Sequence, residues 1–156
     1  IYTKAIDYQA GMPAKLFTSH AGGDFEDITS MVSAGSLRAR GNMGKFSDFI
    51  IVLDERSLKV DTESKLAQIE QILLDNQTNV NSLLFNELQG VSTKLEIAVS
   101  LENFEEALLL TDNLIFLIEN LNGGEIDNVW RSSNDLINVK GDLLSVLKSL
   151  RYRLRL

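Results

Sequence analysis

From Asp61 to the C-terminus apolar residues recur every three or four positions, a period that admits little besides packed α-helices. Leu66, Ile69, Leu73, Val80, Leu84, Leu88, Val91, Leu95 and Ala98 follow one stripe, with Asp61 or Thr62 placed to cap it. The polar stretch 75–79 and Gly90 leave open one long helix or two collinear ones, because a helix-interior Gly costs only about 1 kcal/mol relative to Ala. Asn103 followed by Glu106 has the form of a capping box, so a second helix begins at Phe104. It presents Phe104, Ala107, Leu108, Thr111, Leu114, Ile115, Ile118 and Leu121, and Gly123 with Gly124 ends it. A third helix is expected from about Asp127 to Leu154, carrying Val129, Trp130, Leu136, Ile137, Leu143, Leu144, Leu147, Leu150 and Leu154. Stripes joined by short turns bury best on one another. The expected fold is therefore all-α, an antiparallel helical bundle of three or more helices over residues 61–156.

The first sixty residues are written differently. They hold Gly11, Gly22, Gly23, Gly35, Gly41 and Gly44 and the only proline, Pro13, which predicts an irregular, partly extended N-terminal arm over 1–60. Two pieces of it suit extended chain: residues 1–8 and the β-branched run Phe49, Ile50, Ile51, Val52, Leu53. That run reads as a buried strand or core-facing arm segment, or as an edge strand that pairs with a partner.

The formal charge is −7, and all of it lies after residue 60, where fifteen acidic residues face eight basic ones. An acidic helical body repels phosphate backbones, so no nucleic acid is expected as a partner. With no cysteine there is no disulfide, thiolate metal site or cysteine nucleophile, and the composition fits the cytosol. The longest apolar runs are interrupted at Thr111, Asp112 and Asn113, far short of the about 20 residues that cross a bilayer. The chain opens at Ile1 without a methionine, as a fragment or processed product would.

Residues capable of chemistry are sparse. His20 is the single histidine, in a loop rich in Gly and Ser, without partners for a metal cage or relay. Gly22-Gly23-Asp24 and the stretch from Gly41 to Lys45 lack the spacing of a phosphate-binding loop. Glu102, Glu105 and Glu106 suit a helix N-terminus, where the backbone dipole favours negative charge. These features predict no catalytic residue, no metal and no cofactor. Two others point to docking. Lys148, Arg151, Arg153 and Arg155 form a basic end, which either opposes the helix dipole or contacts an acidic partner or anionic membrane surface. Leu109, Leu110, Phe116 and Leu117 lie off the main stripe of the second helix, leaving that helix apolar around much of its circumference. Phe104, Leu108, Phe116, Leu117 and Trp130 are the candidate apolar partner-binding residues.

The stretch 94–108, in which Phe104, Glu105 and Ala107 hold an aromatic, Glu, any residue, Ala pattern after an acidic and apolar helix, resembles the helical hairpin that opens the C-terminal region of exocyst subunits. Those belong to the helical-rod vesicle-tethering superfamily. Residues 136–140 and the ladder of Leu143, Leu147 and Leu150 are similar to the next helix of that region. The resemblance implies a rod-forming subunit that meets other protein subunits by helix packing and holds a vesicle near its target, in the cytoplasm and at the membrane periphery. The leading expectation is thus a non-enzymatic scaffold or tethering subunit. The competing one is a viral or phage structural protein, whose extended arm and helical body self-assemble into a shell or filament in the virion.

Overall fold

A computed structural model describes every residue except Gly35, Phe46 and Asn134, and the backbone alone of Ser36. The architecture is mixed α/β: among the described residues six strands in two antiparallel sheets precede four helices. The all-α expectation, and a helical bundle as the description of the whole molecule, are therefore corrected. Where an irregular arm was expected, the strands are β1 (Tyr2–Asp7), β2 (Ala14–Ser19), β3 (Glu26–Asp27), β4 (Thr29–Ser33), β5 (Ser36–Gly41) and β6 (Asp48–Leu53). One sheet has the order β1-β5-β4 and the other β3-β2-β6. The glycines that suggested an arm are turn punctuation. Gly11 and Gly22 sit at φ 79° and 76°, backbone angles that favour glycine, in the turns between strands. Residues 1–8 and 49–53 are extended as their composition predicts, forming β1 and β6.

Strand β2 is central in its sheet and also lies against β4 and β5 of the other. Both of its faces are consequently covered, and Leu16 packs with Ile28, Ala39, Val32 and Ile51 in a small core of their own.

The helices are α1 (Leu58–Asp75), α2 (Ser82–Ser100), α3 (Phe104–Glu119) and α4 (Val139–Leu154). Each start has a side-chain cap, an oxygen that accepts from an otherwise unpaired backbone N–H. Ser57 Oγ accepts from Val60, Asn81 Oδ1 from Leu83, Asn103 Oδ1 from Glu106 and Asn138 Oδ1 from Gly141, at 2.8–3.3 Å. Asp61 is thus not a cap; it lies a turn inside α1. The helices α1 and α2 are neither continuous nor collinear. Asn76 Nδ2 donates to Ile72 O at 2.9 Å, a single 3-10 turn follows at Gln77–Asn79, and α2 folds back to pack on α1. The spacing places α3 correctly. Helix α4 begins at Val139, not Asp127: the described residues of 127–138 are not helical, and the segment is tied to the α1–α2 connection by Asn79 Nδ2 donating to Asp127 Oδ2 at 2.7 Å. Trp130 is therefore in a loop.

In the main core α1 packs on α2 and α4, and α3 packs on α2 and α4. Its fully buried members include Leu88, Leu95, Ala107, Ile118, Leu143, Leu147 and Leu150. The connection between β5 and β6 lies on the first turns of α4. Ser145 Oγ donates to Asn42 O at 2.6 Å, Asn138 Nδ2 donates to Gly44 O at 3.3 Å, and a Cβ on Gly141 would fall 2.8 Å from the Gly44 Cα. Only glycine permits two backbones so close, which accounts for Gly141 inside a helix. Among the described residues no helix is long and apolar enough to cross a membrane.

Candidate functional site

Where strands meet helices, the structure buries charge. Lys15 is forced inward because β2 has no exposed face, and Asp27 arrives on the adjoining β3. Asp54 follows β6, and the first turns of α1 add Asp61 and Lys65 on the same side as Leu66 and Ile69. All five side chains are almost wholly buried. The Lys15 ammonium lies 3.2 Å from Asp27 and 3.1 Å from Asp54, and closer still to Asp61. Lys65 Nζ is 2.7 Å from Asp27 and 3.6 Å from Asp61. Two arginines close the rim. Arg56 reaches Asp54 at 2.6 Å and Asp61 at 3.3 Å, and Arg153, from the end of α4, reaches Asp61 at 3.2 Å.

The carboxylate oxygens of Asp27, Asp54 and Asp61 lie within 4.8 Å of one another, the spacing of a small cation cage. The point where they converge is taken by the Lys15 ammonium, so the chain supplies its own cation. Burial alone would raise the pKa of Asp27, but the charge and hydrogen bond of Lys65, the Thr29 hydroxyl and Lys15 outweigh it and hold that carboxyl below the usual range. The Asp54 carboxyl is held well below its ordinary value, first by the hydrogen bond from Arg56, which outweighs burial, and then by Lys15. For Lys15 the penalty of burial is overcome by Asp61, Asp27 and Asp54, and its pKa is raised. This arrangement has the chemistry of a structural ion cluster, with every carboxylate already engaged.

Beside it a cleft of about 510 Å³ opens between the strands, α1 and α4. Its walls carry Asp24, Glu26, Asp75 and Asp142, with Lys45 and His20, the amides of Gln68, Gln71 and Asn76, and the apolar side chains of Ile28, Ile72, Ile137 and Val146. Burial pushes the Asp142 carboxyl up, against the attraction of Lys45 at 3.8 Å. His20, expected on a surface loop, is at the rim. Its ring meets that of Trp130 edge to face, centroids 5.7 Å apart. The Gln68 Oε1 and Ser47 Oγ atoms lining the cleft are buried and accept no protein hydrogen bond among the described residues.

The candidate docking residues do not form one site. Phe104 and Leu108 are half-buried on the first turns of α3, Leu117 packs on the main core, and Phe116 is exposed. Trp130 stands apart in the 127–138 loop. The basic end is engaged within the chain: Lys148 with Glu119 at 2.7 Å, Arg151 and Arg155 with Asp112 at 3.5 and 3.0 Å, and Arg153 with Asp61. Sequence reasoning missed the ion cluster. One signal was present: Asp61 and Lys65 stand on the apolar stripe of α1, where a charged residue needs a buried partner.

The chain belongs to a family described as "Family of unknown function (DUF6689)", whose model matches residues 1–156. Neither a curated protein nor a solved structure matches it.

Proposed function

We propose that this chain is a non-enzymatic docking module of a multiprotein assembly, meeting other subunits through the outer sides of α2 and α3. The observation that carries this reading is a ridge of apolar side chains with a glycine set into it. On α2, Leu83, Gly90 and Ile97 are spaced by seven and share one side; Leu83 is 80% exposed and Ile97 53%. Gly90 is exposed in mid-helix, and a Cβ built on it would meet nothing within 4 Å. Packing within the chain therefore gives no reason for a residue that weakens the helix, whereas a neighbouring helix laid across the ridge would use the notch. On α3, Leu109 and Phe116 repeat the spacing, with Phe116 72% exposed. Apolar side chains gathered into one exposed patch mark interaction surfaces. A vesicle-tethering subunit is the particular form of this role that the likeness of residues 94–108 suggests.

The test is the paired variant Leu109→Lys with Phe116→Lys in the source cells. Its melting temperature should equal that of the unmodified chain, since neither side chain is in the core. The native complex, sized by blue native electrophoresis, should shrink to the single chain. A complex unchanged by the pair, or an unmodified chain that migrates alone, would remove the ridge from function.

A second reading is favoured by the cleft alone: its acidic walls suit a small organic cation, which calorimetric titration with a linear diamine would detect. No heat of binding at millimolar diamine would close that alternative.

A further inference from the structure

Of the four sheet edges among the described residues, three are guarded. β3 is two residues long; β1 carries Lys4 and a register shift between Thr3 and Asp7; and β4 has a register shift between Thr29 and Met31 and packs on α4. Short length, bulges, lysine and a covering element are the usual devices that stop a strand from pairing with another chain. β6 has none of them. It pairs with β2 in unbroken register from Ala14↔Leu53 to Ser19↔Asp48, contains neither Lys nor Pro, and leaves Phe49, Ile50 and Leu53 about half exposed.

The hydrogen bonding shows which backbone groups are on offer. Asp54 N donates to Pro13 O at 2.8 Å, and Leu16 O accepts from Ile28 N on the other side of β2 at 3.0 Å. By alternation, Asp48, Ile50, Val52 and Asp54 direct their backbone groups to β2, while those of Phe49, Ile51 and Leu53 face the open edge. Among the described residues no strand lies on that side. The edge ends at exposed carboxylates, Asp48 before it and Glu55 after it. The nearby cations are committed elsewhere, Arg56 to Asp54 and Lys45 to Asp142. A shallow, open depression lined by Phe17, Val52, Leu53, Asp54, Glu55 and Arg56 adjoins one end.

We propose that β6 captures an extended, apolar segment of another protein, flanked by Lys or Arg, as an added antiparallel strand. The main chain of Phe49, Ile51 and Leu53 recognises the segment's backbone, and Asp48 and Glu55 select its basic ends. A second copy paired edge to edge would set its own Asp48 and Glu55 beside the same two carboxylates and is disfavoured.

The experiment uses the full chain and three synthetic probes: a peptide of alternating Val and Thr flanked by lysines, the same peptide flanked by glutamates, and the lysine peptide with alternate amides N-methylated. The lysine peptide should bind, protect the Phe49, Ile51 and Leu53 amides from hydrogen exchange, and weaken with salt. The glutamate and N-methylated peptides should bind about tenfold or more weaker. Phe49→Pro removes one outward N–H while leaving the bonds to β2, so it should keep the melting temperature and lose the peptide. Should Phe49→Pro unfold the chain, the N-methylated probe on the unmodified protein gives the same information. Equal binding of all three peptides, no binding of the lysine peptide, or a dimer by light scattering that Phe49→Pro dissolves would each overturn the proposal.

Discussion

Two glycines inside or at the head of helices should respond to the same substitution with opposite signs. At Gly90 a Cβ enters open space, so Gly90→Ala gains the difference in helix propensity, about 1 kcal/mol, with no contact to disturb. For a chain of this length that is a rise in Tm of roughly 2–4 °C. At Gly141 the new Cβ would stand 2.5 Å from Asn138 Nδ2 and 2.8 Å from the Gly44 Cα. The Gly44 backbone cannot move without pulling the β5–β6 connection off α4. Asn138, if it moves, gives up the cap it makes to Gly141 N, itself worth about 1 kcal/mol. Adding the typical cost of overpacking, Gly141→Ala should lose about 1–3 kcal/mol net of any helix gain. Urea unfolding of the two variants followed by circular dichroism measures both numbers. A destabilised Gly90→Ala would mean that the helix side at Gly90 is occupied within the chain. A stabilised Gly141→Ala would mean that the backbone approach between Gly44 and α4 does not hold the strands to the helices.

The ion cluster predicts a larger loss. Lys15→Met removes the one ammonium that Asp27, Asp54 and Asp61 all share, and breaking a buried pair costs about 3–5 kcal/mol, so Tm should fall by roughly 10 °C at pH 7. The sign with pH follows from the lowered carboxyls of Asp27 and Asp54: their stabilisation is complete above the unfolded value, about 3.9, and is lost as pH falls below it. The unmodified chain should therefore weaken steeply on acidification, and Lys15→Met should lose less, so the gap between their melting curves narrows below about pH 4. A gap constant with pH would show that Lys15 acts by packing alone. Asp142 has the opposite sign. Its carboxyl is raised by burial, so the charged form costs stability at neutral pH, and Asp142→Asn should raise Tm at pH 7 and change nothing once the carboxyl is protonated. A Tm lowered at pH 7 would instead make the contact with Lys45 dominant.

Helix α3 was legible because its information is local, a period of three to four and an Asn at its start; on α2 the period was legible, but its break from α1 and its Asn81 cap were not. The strands were only half legible. β1 and β6 have extended composition, but β2, β4 and β5 carry Lys15, Ser30, Arg38 and Arg40 among their apolar residues, and no short window shows that they pair. What makes them strands is the partner many residues away, which is tertiary context and not propensity. The loop 127–138 imitates a helix because Val129, Trp130, Leu136 and Ile137 happen to match the period. Asn128, Ser132, Ser133 and Asn138 between and after them are turn and cap formers, and they prevail. The ion cluster was least legible, since its members come from β2, β3, the end of β6, α1 and α4, and only Asp61 with Lys65 betray it locally.

That dispersal determines how the molecule assembles. The strand half and the helical half each lack partners for the charges they must hide: Lys15 of β2 is paired with Asp61 of α1, and Lys65 of α1 is paired with Asp27 of β3. Dehydrating either portion by itself would strand an ionised group in an apolar surround, so water leaves both together or neither. The knot of ammonium and carboxylate groups is thereby a cooperativity device, joining two cores of very unequal size into one unfolding event.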